Sequence, residues 1–547
     1  MNISVCGIDC DACSFKAEGK CEGCRVSAPK GECVWGGRCE LYDCATEKKL
    51  PHCGKCTDFP CQKLIDAHKN ENPDGNGIEI ENLRKLNKPE LKILSPTAIL
   101  GYGFPMSSWE EGMRRKPDVI AVDAGSTDPG PYYLGAGISF TDREAVKRDL
   151  AIMIPAGLEA GIPVIIGSAG GSGAAPHLQW NREIIDEIAV EQKLTFSLAI
   201  ISSDIDKDAV LDSLKKGKIT PLKPAPQLTQ ADIDDAAHIV AQIGDEPIIK
   251  ALDSGAHVIL TGRAYDPVVF AALAIHRGYD PGLATHLGKI LECAAIAATP
   301  GSGSDCMFGY VGEDYFRVEP LSDQRKCTTL SVAAHTLYEK TNPYVLPGPG
   351  GILDLHETVF TQETGSAVRV TGSRFIPSEK YTVKLEGVKK VGCRTVSFAA
   401  TADPVMIAQI DDITPKVKAR VADNFSSELG DYSLDFKIYG RGGASGVMGI
   451  FSAKPEEASA SELAIIIDAV ASTQELANTI CSFARSTLLH YGYPGRISTA
   501  GNLAFPFSPS DIKMGDVYEF CIYHVMEVDD PCEHFPVKIA TYKGGAS

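Results

Sequence analysis

The sequence predicts an α/β fold: a doubly wound, mainly parallel sheet domain over residues 92–354. An α+β domain follows over 355–547, and a small cysteine-rich metal-binding module precedes it over 1–70, joined by a linker at 71–91. Three observations carry this division. Cysteines crowd the first 61 residues, short apolar runs alternate with helical patterns through the middle, and period-2 alternation takes over after about residue 355.

Eleven of the 18 cysteines open the chain: Cys6, Cys10, Cys13, Cys21, Cys24, Cys33, Cys39, Cys44, Cys53, Cys56 and Cys61. In a reducing compartment, thiols this close more often hold a metal than form disulfides. The spacings agree, with C-x3-C-x2-C at Cys6/Cys10/Cys13 and C-x2-C at Cys21/Cys24 and Cys53/Cys56. A two-residue gap lets both sulfurs reach one ion, and a distant pair completes a tetrahedron. The candidate ligands are Cys6, Cys10, Cys13, Cys21, Cys24, Cys39, Cys44, Cys53, Cys56 and Cys61. Two four-cysteine sites leave three thiols over, so the ligand sets stay open. A structural zinc fits these spacings, and a [4Fe–4S] cluster uses the same thiolates. A disulfide-stapled knot is the bland alternative.

Lys69-Asn-Glu-Asn-Pro-Asp-Gly-Asn-Gly reads as polar linker. Beyond it, Pro117-Asp-Val-Ile-Ala-Val122 is a short buried strand ending at Asp123. Thr141 with Glu144 forms an expected capping box for a helix reaching about Gly161. Pro163–Ile166, Phe196–Ile201 and His257–Leu260 are further strands, separated by helices at Asp206–Leu214 and up to His276. Strands spaced by 10–15-residue helices imply parallel βαβ units with both faces covered.

Ligands in such sheets bind beyond the carboxyl ends of the strands. Three loops there carry polar groups among glycines: Asp123-Ala-Gly-Ser-Thr-Asp128, Gly167-Ser-Ala-Gly-Gly-Ser-Gly173 and Gly262-Arg263-Ala-Tyr-Asp266. Asp123 and Asp128 are candidate general bases, and Arg263 a candidate carboxylate clamp beside Asp266. Ser168, Gly170, Gly171 and Ser172 are candidate substrate-binding residues whose peptide N–H groups suit an anion at a helix start. A tight strand-to-helix turn explains that loop equally well. It lacks the lysine of a Walker loop and the G-x-G-x-x-G spacing, so no nucleotide cofactor is expected. The Asp123 loop also resembles the first phosphate loop of actin-like ATPases, but Asp128-Pro-Gly-Pro cannot continue into the hairpin those proteins require.

Cys293 is a candidate nucleophile at the end of an expected helix Leu283–Ala298, against the plain reading of a small buried hydrophobe. Glu292 beside it points to another helical face. His335 lies among apolar residues, as a hydrogen-bonded core histidine does. No serine elbow and no H-E-x-x-H sequence is present, so standard hydrolase templates are unsupported. In the last third, Tyr381–Phe398 alternates like paired strands, Tyr432–Tyr439 and Val517–Val525 alternate likewise, and helices are expected at 404–423 and 460–490. Gly440-Arg441-Gly-Gly supplies another glycine loop, with Arg441 a candidate substrate ligand.

The composition is that of an ordinary globular chain, 44% hydrophobic and 23% charged over 547 residues, with a net charge of −18. Such a field repels nucleic acid and anionic lipid, and no run approaches the ~20 apolar residues of a membrane span. No secretory signal is evident, which makes a cytoplasmic location the expectation.

The cysteine segment, with Cys6-Gly-Ile-Asp-Cys-Asp-Ala-Cys13, Cys21-Glu-Gly-Cys24, Cys53-Gly-Lys-Cys56 and Phe59-Pro-Cys61, resembles the DUF3795 domain. That resemblance implies a metal module and little more. From about 92 to 540, Asp123-Ala-Gly-Ser-Thr-Asp-Pro-Gly, Thr261-Gly-Arg-Ala-Tyr-Asp-Pro, Leu291-Glu-Cys-Ala, Leu337–Pro347, Gly440-Arg-Gly-Gly and Tyr493–Asn502 resemble the acyclic terpene utilisation AtuA family (DUF1446). Its members lie in catabolic clusters for terpenoid and related carboxylic acids, often beside acyl-CoA enzymes. The resemblance implies a catabolic enzyme. The chain departs at Ala294, where relatives tend to have glycine.

The expected function is lyase- or hydratase-like proton chemistry on a small carboxylate or acyl thioester, in a homo-oligomer. Two alternatives stand beside it: an iron–sulfur-dependent lyase of dehydratase or desulfidase type using the N-terminal cysteines, and a non-catalytic cysteine-rich assembly module fused to a metabolite-binding domain.

Overall fold

The computed structural model describes residues 3–34, 36–69, 77–86, 88–337, 342–425, 430–440, 460–497 and 501–544. The middle of the chain builds a ten-stranded mixed sheet. Five strands run parallel at its centre, in the spatial order β1 (Leu91–Ser95), β2 (Val119–Asp123), β3 (Val164–Gly167), β7 (Val258–Thr261) and β4 (Phe196–Ile201). Antiparallel strands extend both ends. Beyond β1 lie β8 (Met307–Val311), β9 (Tyr315–Pro320), β13 (Val368–Thr371) and β12 (Val359–Gln362). Beyond β4 lies β19 (Val537–Tyr542). The sheet is parallel at its centre and mixed as a whole, where the sequence suggests a mainly parallel one.

The parallel strands are apolar on both faces, as strands covered on both sides must be. Ile93, Ala121 and Ile165 pack into one core with Ile248, Phe270 and Leu287, from the helices Glu246–Asp253, Asp266–His276 and Pro281–Leu291. Leu94, Ile120, Val122 and Ile166 pack into another with Trp109, Leu150 and Ile184, from Met106–Arg114, Arg143–Ala160 and Ala175–Glu191. Each buried leucine or isoleucine contributes roughly 1.5–3 kcal/mol.

A second sheet has the order β16 (Tyr432–Tyr439), β17 (Leu463–Ala471), β15 (Tyr381–Thr401), β18 (Asp511–Val528) and β5 (Ile219–Pro221), with β6 (Ala236–Ala241) also on β15. A third, small sheet joins β10 (Val345–Gly348), β11 (Gly351–Asp354) and β14 (Arg374–Pro377). The chain crosses the expected division at 354/355 in both directions. β5 and β6 leave the middle for the second sheet, and β12, β13 and β19 return to the first.

Several local expectations change. Asp142, not Thr141, caps its helix, accepting from the N–H groups of Glu144 and Ala145. Tyr381–Phe398 belongs to one long strand, not a pair: Gly387 and Gly392 sit at β-bulges, where the register against β18 shifts. Residues 463–471 are strand because Ile465, Ile466 and Ile467 bring β-branched side chains into a sheet. The helix Gln474–Leu489 starts only after its cap Thr473. The stretch expected as one helix to Ala298 ends at Leu291, and Ala294 adopts a left-handed backbone with φ +44°. Part of the expected linker is a helix, Ile78–Leu86, whose Ile80 and Leu83 join Leu41 and Leu64 in the core of the cysteine module. Among the described residues no helix is long and apolar enough to cross a membrane.

Candidate functional site

The carboxyl ends of β2, β3 and β7 lie side by side, with Asp123 opposite Gly167 and Ile166 opposite Leu260. This register brings the three polar loops together. Two glycines make the approach feasible. A Cβ at Gly167 would stand 2.4 Å from Val269 and 3.1 Å from the Asp123 carboxylate, and one at Gly173 would stand 2.0 Å from the Arg263 backbone nitrogen. Ser168, in a left-handed backbone, donates its N–H to Thr261 Oγ1.

Arg263 is the hub and is 3% exposed. Its Nε donates to Glu386 Oε2 at 2.9 Å, and its Nη1 to Asp266 Oδ1 at 2.7 Å and Ser168 Oγ at 3.2 Å. Glu386, 1% exposed, comes from β15 of the second sheet. It also accepts from Thr127 Oγ1 at 3.1 Å and pairs with Lys384 at 2.8 Å. Burial alone would raise its carboxyl, but Arg263 and Lys384 hold it down at about 2. Two carboxylates of the protein itself thus hold this guanidinium, where the sequence suggests a clamp for a substrate carboxylate.

Asp123 is 5% exposed, and its environment is the reverse. Oδ2 accepts from the Gly125 N–H at 3.2 Å, the Ser168 hydroxyl bears on the carboxyl as a donor, and Oδ1 is buried with no partner at close hydrogen-bond geometry. Burial drives its carboxyl well above the usual range. The charges of Asp266 and Glu292 add to that rise, against the pull of Arg263. Glu292 forms a buried ion pair with Lys289 in the last turn of Pro281–Leu291. Four carboxyls (Asp123, Asp266, Glu292, Glu386) thus share one buried region with three cations (Arg263, Lys289, Lys384).

Cys293 follows Glu292 in the turn where the helix breaks, is half-buried, and stands close enough to Lys289 to favour its charge. His335 faces the same lysine. Burial first, and that cation second, hold its imidazole neutral at about 4. Asp266 is 25% exposed, so it and Cys293 mark where the buried set nears solvent.

Other expected residues fall elsewhere. Asp128 is exposed, outside the buried set. Gly170, Gly171 and Ser172 are buried in a turn in which the Gly171 N–H donates to Ser168 O and the Gly173 N–H to Ala169 O. Those two bonds make a tight turn, and the Ser172 side-chain Oγ is buried in it without a hydrogen-bond partner. Arg441 lies outside the described residues. The sequence reading missed Glu386, Lys384 and Lys289. Lys289 and Glu292 carried a signal, as an i,i+3 charged pair in an otherwise apolar helix. Glu386 carried none beyond a charge in an alternating strand.

In the N-terminal module every cysteine is a free thiol. A cavity of about 790 Å³ is lined by Cys6, Cys10, Cys13, Cys21, Cys24, Cys33 and Cys39, together with His68. Cys44, Cys53, Cys56 and Cys61 are not on its wall. Among the described residues no three Cys, His, Asp or Glu side chains are grouped to hold one ion. The donors are of the right kind, and they ring a volume without meeting at a point.

Such an arrangement, a buried ionisable set at the carboxyl rim of a parallel β-layer plus a thiol-lined module, defines an α/β protein with two chemically distinct regions. Residues 142–305 match the model of the acyclic terpene utilisation family protein AtuA, and residues 2–66 match that of DUF3795, a family of unknown function. No curated protein and no solved structure matches the chain.

Proposed function

We propose that the protein is a catabolic enzyme that moves a proton on a small organic acid or its thioester, with Asp123 as the acid–base group. One observation carries this reading: a buried carboxyl whose proton affinity is raised by burial and by two neighbouring acids, at the carboxyl end of a parallel strand. Read as a doubly wound sheet, the fold takes ligands at that rim. Asp266 and Glu292 raise the proton affinity of Asp123, which tunes it toward the working pH of a general acid or base. Arg263 positions Glu386 and Asp266 and offsets their charge. Substrate approaches from the side of Asp266 and Cys293. Asp123→Asn keeps the size of the side chain and removes the transferable proton. Turnover of organic acids and CoA esters is expected to fall by about 10²–10⁴-fold with the melting temperature retained. Unchanged turnover in that variant would reject the assignment.

A second reading concerns the module, and the ring of thiols supports it: the cysteines hold a metal, as zinc or as a [4Fe–4S] cluster. Bound zinc supplies a cross-link to a small fold, and a cluster with an open iron supplies a Lewis acid. The proton transfer at Asp123 uses neither.

A further inference from the structure

We infer that Ser168 is a positioning residue for Asp123: Arg263 and the Ala264 amide occupy the acceptor side of its hydroxyl, which turns the O–H onto the Asp123 carboxylate. This rests on the acid–base reading above and adds a residue that acts through Asp123, where the sequence suggests a substrate ligand.

The placement begins with the strands. Asp123 and Gly167 are register partners at the carboxyl ends of β2 and β3, so Ser168 is the first residue beyond that pair. With no side chain at Gly167, the Asp123 carboxylate stands 3.1 Å from where a Cβ would be, and the end of β3 closes on it. Ser168 is fully buried and takes a left-handed backbone with φ +46°. A residue other than glycine holds that conformation only where its surroundings impose it. Thr261, at the end of β7, imposes it twice. Its Oγ1 accepts the Ser168 N–H at 3.3 Å, and its carbonyl accepts the Ala169 N–H at 3.0 Å.

The direction of the hydroxyl follows from what a serine can offer: one proton to donate and two lone pairs to accept with. Arg263 Nη1 donates to Ser168 Oγ at 3.2 Å, and the Ala264 N–H donates to it at 3.4 Å. Both lone pairs are thereby taken. What remains is the O–H, which bears on Asp123. A hydroxyl committed in this way serves the ionised carboxylate and has no lone pair left to accept from the protonated acid.

Ser168 therefore favours the charged form of Asp123. Burial, and then the charges of Asp266 and Glu292, oppose it, while Arg263 works in the same direction. Glu386 and Lys384 on β15, and Lys289 on Pro281–Leu291, complete the charges around the set. Arg263 thus reaches Asp123 by two routes, through its own charge and through the hydroxyl it orients.

Infrared titration of the full-length protein reads the protonated-carboxyl band of Asp123, assigned by its loss in Asp123→Asn. Ser168→Ala and Ser168→Gly are each expected to move the midpoint of that band to higher pH by about one pH unit, because a hydrogen bond to a charged group is lost. Glycine suits the left-handed backbone, so Ser168→Gly decides the matter if Ser168→Ala does not fold. Equal shifts in the two variants trace the effect to the hydroxyl and not to the backbone. A midpoint unchanged or lowered in folded Ser168→Gly overturns the inference. Turnover separates it from the reading beneath. Normal turnover in Asp123→Asn, with raised midpoints in the serine variants, rejects the acid–base role and leaves the hydrogen bond standing. Lost turnover in Asp123→Asn, with unmoved midpoints, rejects Ser168 alone.

Discussion

The cysteine module and the sheet region it precedes solve opposite problems. Among the described residues the module's apolar cluster has four buried members, Leu41, Leu64, Ile80 and Leu83. The sheet region fills two extensive cores, one on each face of the parallel strands. A unit as small as the module removes too little apolar surface from water to offset chain entropy, so it needs cross-links, a metal or a neighbour. The sheet region has apolar burial to spare, and it can hold seven ionisable side chains at one rim, four acids and three bases. Excess hydrophobic stability is what lets a fold keep a desolvated carboxyl such as Asp123.

Leu64→Ala tests the weak side of this contrast and should have the largest structural effect. Deleting a fully buried leucine costs about 2–5 kcal/mol, which is the scale of the whole module's stability. Limited proteolysis should then cut residues 1–86 rapidly while the sheet region resists. Equal resistance of both would erase the distinction.

Arg263→Ala tests the strong side. It leaves Glu386 buried with only Lys384 as cation, a loss of about 3–5 kcal/mol in urea unfolding, from a region that should still fold. The same variant should alter the acid response. Glu386 sits at about 2 in the fold, against about 4.3 in the unfolded chain, so its stabilisation is present above pH ~4.3. It is lost as pH falls toward 2. Asp123, raised by burial, has the opposite sign: it stabilises at low pH, and that contribution fades as pH rises above about 3.9. In Arg263→Ala the loss near pH 4 to 2 should shrink, and an unaltered acid limb would remove Arg263 as the cause.

The smallest expected effect is at Ala294, the left-handed residue after Cys293. Ala294→Gly relieves about 1 kcal/mol of backbone strain but gives up a buried methyl group worth about 0.8 kcal/mol. The net change should stay under about 0.5 kcal/mol in thermal unfolding. A large loss would show that the turn's shape depends on the methyl group and not on the backbone.

Local signals located most elements. Phe196–Ile201 and Tyr432–Tyr439 form strands with the bounds that their side-chain alternation suggested. Asp123, Ser168 and Arg263 were legible as one candidate site because strand ends, glycines and polar residues coincide in the chain. Misreadings arose where two local rules compete. Gly387 and Gly392 signal turns as strongly as bulges, and residues 463–471 were merged with the helix that follows them across a two-residue break.

What the sequence determined by itself is therefore short in range: the crowding of thiols, the apolar periodicity, and which residues stand at strand ends. The tertiary structure alone decided that β15 delivers Glu386 to Arg263, that a helix after residue 77 completes the module's core, and that cysteines with identical spacing part company. Periodicity and turn chemistry act within a few residues of a position. The partner a charge or a sulfur meets depends on which faces bury against each other, and that is settled only when the whole chain packs.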